Sequence, residues 1–164
     1  MYDNNPYAPP EAAVSDIAGS GEPLPTLWNP GAATAWSLLF SPVFGAILQM
    51  KNWQALGEPT KAAGSRRWAI GCAIYTVLIG TSAMFLPESR AIDRAINLSG
   101  VVVLLIWYYA NGREQIGHVK ARFGRTYPRR GWAVPILIAL GVMIAFVAAM
   151  TLVAIAVMSA RGEF

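Results

Sequence analysis

From Trp132 to Met158 the chain reads "WAVPILIALGVMIAFVAAMTLVAIAVM", without one Asp, Glu, Lys, Arg or His. As a helix this stretch is apolar on every face, whereas a helix on the surface of a soluble protein keeps a polar side at period 3.6. Three other stretches share the pattern. Ala32–Met50 and Trp68–Leu86 hold no such charged or imidazole group, and Ala91–Ala110 holds Asp93 and Arg94 only in its opening turn. A hydrocarbon layer of about 30 Å takes about 20 helical residues to cross, and all four stretches reach or approach that length. The pattern predicts an all-α polytopic membrane protein with four transmembrane helices, over about 32–50, 68–86, 91–110 and 132–158. They form one helical domain, 32–158, followed by a short C-terminal tail, 159–164. The last span would extend about 40 Å at 1.5 Å per residue, so it must tilt or protrude.

The first stretch is the least regular. Ala33, Ser37, Ser41 and Gly45 recur every four positions, which puts small side chains on one helical face where a second helix can approach closely. Gly141, Ala145 and Ala149 repeat that spacing in the last stretch. Pro42 removes an amide from the helical ladder, so a kink is expected there. The helix then continues along the surface as "KNWQAL" and stops at Gly57, with Pro59 opening a new short helix. The alternative is three crossings, with "SPVFG" breaking the first stretch into a re-entrant or interfacial element.

Composition sharpens the membrane reading. Hydrophobic residues make up 55% of the chain and charged ones 13%, against about 25% charged in an ordinary soluble domain. Residues 1–31 form a tail with six of the eleven prolines, four acidic residues and no Lys or Arg, a composition that reads as flexible. "MYDNN" offers no basic or apolar start of a cleavable signal peptide. The cations lie in the loops: four in 51–67, six in 111–131, two in 87–94, and Arg161 at the end. With four crossings that is ten on one side and three on the other. The positive-inside rule then puts both basic loops in the cytoplasm and both termini outside.

Candidate chemistry is sparse. No span centre carries a charge of the kind that marks ion pathways. Ser37, Ser41, Thr76, Thr81, Ser82, Asn97, Ser99 and Thr151 are the milder polar groups in the spans, expected to bond backbone carbonyls or a neighbouring helix. Cys72 has no disulfide partner and reads as a packing residue. His118 is the one histidine and reads as a solvated loop residue, without partners for a metal or a nucleophile. Catalytic, cofactor and metal sites are all expected to be absent, so the protein reads as no enzyme. The best functional candidate is the 111–131 loop. Ile116, Val119, Phe123 and Tyr127 lie along one line, with Arg113, Lys120, Arg122, Arg125, Arg129 and Arg130 around it. This basic amphipathic segment would attract anionic lipid or dock a partner. Nucleic acid is not an expected partner, because the positive charge is used at the membrane face.

"NPYAPPEAAVSD" (Asn5–Asp16) resembles the N-terminal tails of small proteobacterial inner-membrane proteins. "WSLLFSPVFGAILQMKNWQALGEPTKA" (Trp36–Ala62) is similar to a pattern in membrane proteins in which an apolar Pro/Gly segment precedes an N-W-x-x-L-G element and a basic helix. The resemblance implies a bacterial inner-membrane location and supplies no active-site residues. The expected function is non-enzymatic, through contact with a membrane protein partner or in a homo-oligomer. One specific form is an immunity protein against a membrane-targeting toxin, and the alternative is a pore or permease subunit for a small solute.

Overall fold

The computed structural model describes residues 23–87 and 89–162, so most of the acidic tail lies outside the described residues. Those described are helical, apart from turns and a single parallel bridge between Leu27 and Arg129. The helices are α1 (Pro30–Phe40), α2 (Pro42–Ala55), α3 (Pro59–Ala83), α4 (Arg90–Trp107), α5 (Arg113–Phe123) and α6 (Ala133–Arg161), with a π-helical turn, Tyr108–Gly112, joining α4 to α5.

The first apolar stretch does not form one helix. Asn29 caps α1, accepting from the Gly31 and Ala32 amides through Oδ1, and Pro30 fits the first helical position because its missing amide would be unpaired there. The dipeptide Ser41–Pro42 ends α1: a residue before proline is pushed out of the α region, while proline itself readily starts the next helix. Ser41 is the one described non-glycine residue with positive φ, at 83°, a strained conformation that costs on the order of 1–3 kcal/mol. The outcome is a reversal and not the expected kink. The Trp28 amide donates to Asn52 Oδ1 at 3.0 Å, and Asn52 Nδ2 donates to the Trp28 carbonyl at 2.8 Å. The start of α1 therefore lies beside the end of α2. The stretch 32–50 is a helical hairpin whose first arm, 11 residues long, rises only about 16 Å.

The small-residue stripe is what closes this hairpin. Ala33 and Ser37 are buried, and an added Cβ on Gly45 would collide with Ser37 Oγ and lie 2.6 Å from the Trp107 ring. α2 thus sits at the centre, against α1, α3 and Trp107 of α4. Gly57, at φ 73°, ends α2 as expected. Pro59 opens α3, but α3 is no short helix: it runs 25 residues without a break. The expected end of the third span at Ala110 is also absent. Helical structure continues from Arg90 to Phe123 through the π turn, because Asn111 and Gly112 are buried against α2.

Two helical stretches, Arg90–Phe123 and Ala133–Arg161, are long and apolar enough to cross a membrane, with mean hydropathy 1.5 and 2.8 over their most apolar windows. Those windows are only 6% and 0% buried within the protein, unlike the core helix of a soluble fold. α6 meets the rest of the protein at separate points: Trp132 packs with Phe44 and Leu48 of α2, Phe146 and Met150 approach Gly80 of α3, and Arg161 lies over the Phe85 ring. Gly141, Ala145 and Ala149 are exposed, so the second small-residue stripe makes no contact comparable to the first.

Candidate functional site

The end of the molecule at which the hairpin opens gathers most of the polar chemistry. Five uncharged side chains are buried there: Gln49, Asn52, Ser65, Asn111 and Gln115. They form one connected set. Ser65 Oγ donates to Asn111 Oδ1 at 3.2 Å, Asn111 Nδ2 to Gln49 Oε1 at 2.6 Å, and Gln49 Nε2 to the Gly112 carbonyl at 3.4 Å. Gln115 Nε2 donates to the Gln49 carbonyl at 2.9 Å, and its Oε1 accepts from Asn52 Nδ2 at 3.1 Å. Through Asn52 the set reaches the Trp28 backbone. It joins α2, α3, the π turn, α5 and the segment before α1 without placing a charge in the interior, and buried amides linked in this way fix one mutual arrangement of the elements.

Trp107, Asn111, Gln115 and Val119 recur at spacing four and are all buried, so this stripe is the face that α4 and α5 turn towards the hairpin. Sequence reasoning missed all five polar side chains, having placed Gln49, Asn52, Asn111 and Gln115 at span ends or in loops. The available signal was that spacing.

His118 is not a solvated loop residue. Its ring lies edge-on to Trp53 at 5.0 Å, and Nε2 is buried without a hydrogen bond among the described residues. Lys61 covers the Trp53 ring at 4.7 Å and pairs with Glu114 at 3.2 Å. Asp93 lies in the first turn of α4, and Glu88 falls outside the described residues. Of the mild polar groups in the spans, Ser37, Thr76, Thr81, Ser99 and Thr151 donate to carbonyls of their own helices, and Tyr75 meets Ser99 at 2.6 Å between α3 and α4.

The amphipathic segment packs its apolar residues inward. Ile116 and Phe123 are half-buried, and Val119 and Tyr127 are buried; the last three pack with Leu27 and Leu56. The apolar line is therefore largely covered by the protein itself. Leu27, expected in the flexible tail, is fully buried. Its amide donates to the Pro128 carbonyl at 3.1 Å, and the Arg130 amide donates to the Leu27 carbonyl at 2.9 Å. Residues 23–29 and the 124–131 loop hence share one end of the molecule. Arg113, Lys120, Arg122, Arg125, Arg129 and Arg130 are all exposed there. Lys120, Arg125 and Arg129 border a recess of about 180 Å³ beside the first turn of α1.

No family model, curated protein or solved structure matches this chain.

Proposed function

We propose that the chain is a multi-pass protein of a bacterial cytoplasmic membrane that acts by docking another membrane protein, not by catalysis. α3, α4 and α6 make three crossings, and the α1–α2 hairpin enters from the cytoplasmic side and returns to it. Residues 23–29 and the basic loops then face the cytoplasm with ten of the thirteen Lys and Arg residues, as the positive-inside rule favours, and the C-terminus lies outside. The uncovered apolar sides of the long helices support the membrane location.

One observation carries the docking role. The apolar line of α5 is used inside the chain, so α5 and the loop after it form a packed platform whose outer side is six exposed cations. A helix lying in the membrane interface would keep that line for lipid. Anionic lipid next to the platform adds attraction, and an acidic cytoplasmic surface of a partner fits it. An immunity protein against a membrane-inserting toxin is one specific form, and it requires that cells lacking the chain die when the cognate toxin is delivered.

Crosslinking in the native cell, followed by purification in mild detergent, tests the docking role. One stoichiometric partner is expected, joined through residues 113–130, and Arg122→Glu with Arg125→Glu lowers its recovery severalfold at unchanged protein level. Self-crosslinks alone contradict docking to a different protein and identify a homo-oligomer.

A further inference from the structure

Between α2, α3 and α6 lies an apolar cavity of about 540 Å³, within the roughly 300–1,000 Å³ range of small-molecule sites. Its walls include Ile47, Val77, Ile138 and Val142, and Lys51 and Trp28 stand at the end where the hairpin opens. Arg130 lies over the Trp28 ring at 4.6 Å, so that mouth is cationic and aromatic while the remaining lining is almost wholly apolar. From Lys51 to Val43 the wall spans about 12 Å along α2, and from Val134 to Phe146 about 18 Å along α6, at 1.5 Å per residue. Half of a hydrocarbon core of about 30 Å is about 15 Å. The cavity is thus as deep as one leaflet, with its charge at the headgroup level.

We infer that this cavity holds one acyl chain of an anionic phospholipid from the cytoplasmic leaflet, with the phosphate at Lys51 and the chain reaching the level of Ser41. The inference rests on the membrane reading above and adds a defined lipid site to it. Such a lipid fills the gap left where the short hairpin stops and α6 stands apart from α2, so its binding couples α6 to the hairpin.

The test uses the full chain in phosphatidylcholine vesicles carrying a trace of phospholipid with a photoactivatable acyl chain, headed either by phosphoglycerol or by phosphocholine. Crosslinked positions are mapped by mass spectrometry. The phosphoglycerol probe is expected to label Ile47 and Val142 more strongly than the phosphocholine probe. Lys51→Glu lowers that labelling by about fivefold or more, the scale of one lysine at a membrane surface. Ala139→Phe, which fills the cavity, removes the excess of the phosphoglycerol probe over the phosphocholine probe even where charge effects are small. Both probes are expected to label the exposed Leu98 and Leu105 of α4 equally in every variant. Equal labelling of Ile47 and Val142 by both probes, unchanged in Lys51→Glu, overturns the site and leaves the membrane reading standing. Absence of label on α4 as well overturns the membrane reading and the lipid site with it.

Discussion

Gly45→Ala lowers the thermal midpoint in mild detergent by roughly 5–10 °C, the shift expected for an overpacked core site costing about 2–3 kcal/mol in a chain of this size. The alanine Cβ would meet Ser37 Oγ and lie 2.6 and 2.8 Å from two carbons of the Trp107 ring. Neither neighbour has room to move: Trp107 is fully buried and Ser37 is 1% exposed. Gly→Ala inside a helix otherwise gains about 0.5–1 kcal/mol, and Gly64, Gly71 and Gly141 are the controls expected to give that gain in isolation, since an added Cβ at each meets nothing within 4 Å. Alanine at those three positions leaves the midpoint unchanged or raises it. Ser37→Gly added to Gly45→Ala restores part of the loss, because the Ser37 hydroxyl bonds only its own helix, at the Ala33 carbonyl. Thermal scans of the five variants check the series. A neutral Gly45→Ala would mean that the two arms of the hairpin are not in contact.

Asn52→Leu has the second large effect. It keeps the volume and removes three hydrogen bonds at once, two to the Trp28 backbone and one to Gln115. Each buried polar group left without a partner costs about 1–3 kcal/mol, so a loss of about 3 kcal/mol or more is expected. The damage is local in a measurable way. Residues 23–29 lose their hold on the end of α2, and limited proteolysis should cut between Pro23 and Asn29 faster than in the parent. Asn52→Asp fares no better, because its second oxygen would face the Trp28 carbonyl and Gln115 Oε1, both acceptors. A cycle of Asn52→Leu with Gln115→Leu should give a coupling of about 0.5–3 kcal/mol, as for residues within one network. A coupling near zero would break the chain of contacts drawn through Gln115.

Both sites show where the sequence stopped being informative. The apolar windows 91–110 and 132–158 were legible because lipid-compatible helices declare themselves by composition alone, and they fall in helical stretches of sufficient length. Gly57 and Pro59 were legible because local backbone rules determine helix ends. The direction taken after Ser41 was not. Ser-Pro ends a helix and starts another whatever the angle between them, and only the sign of φ at Ser41, set by Gly45, Ser37 and Trp107 packing together, turns the kink into a reversal. The amide set was illegible for a related reason. Gln49, Asn52, Asn111 and Gln115 sit where spans meet loops, and polar residues there read as solvated until the hairpin brings α2 against α5. Leu27 shows the same limit: its proline-rich surroundings mark a flexible tail, while its burial depends on Val119 and Tyr127 about a hundred residues away.

In the proposed topology the hairpin returns to the side from which it enters. Single cysteines at Thr26, Ala63, Arg125 and Ala160, all exposed positions, placed in a Cys72→Ala background, test it through labelling with a membrane-impermeant maleimide in vesicles of both orientations. Positions 26, 63 and 125 are expected to be labelled from one side and position 160 from the other. Labelling of position 26 together with position 160, opposite 63 and 125, would contradict it, because the stretch 32–50 would then cross the membrane in a single pass.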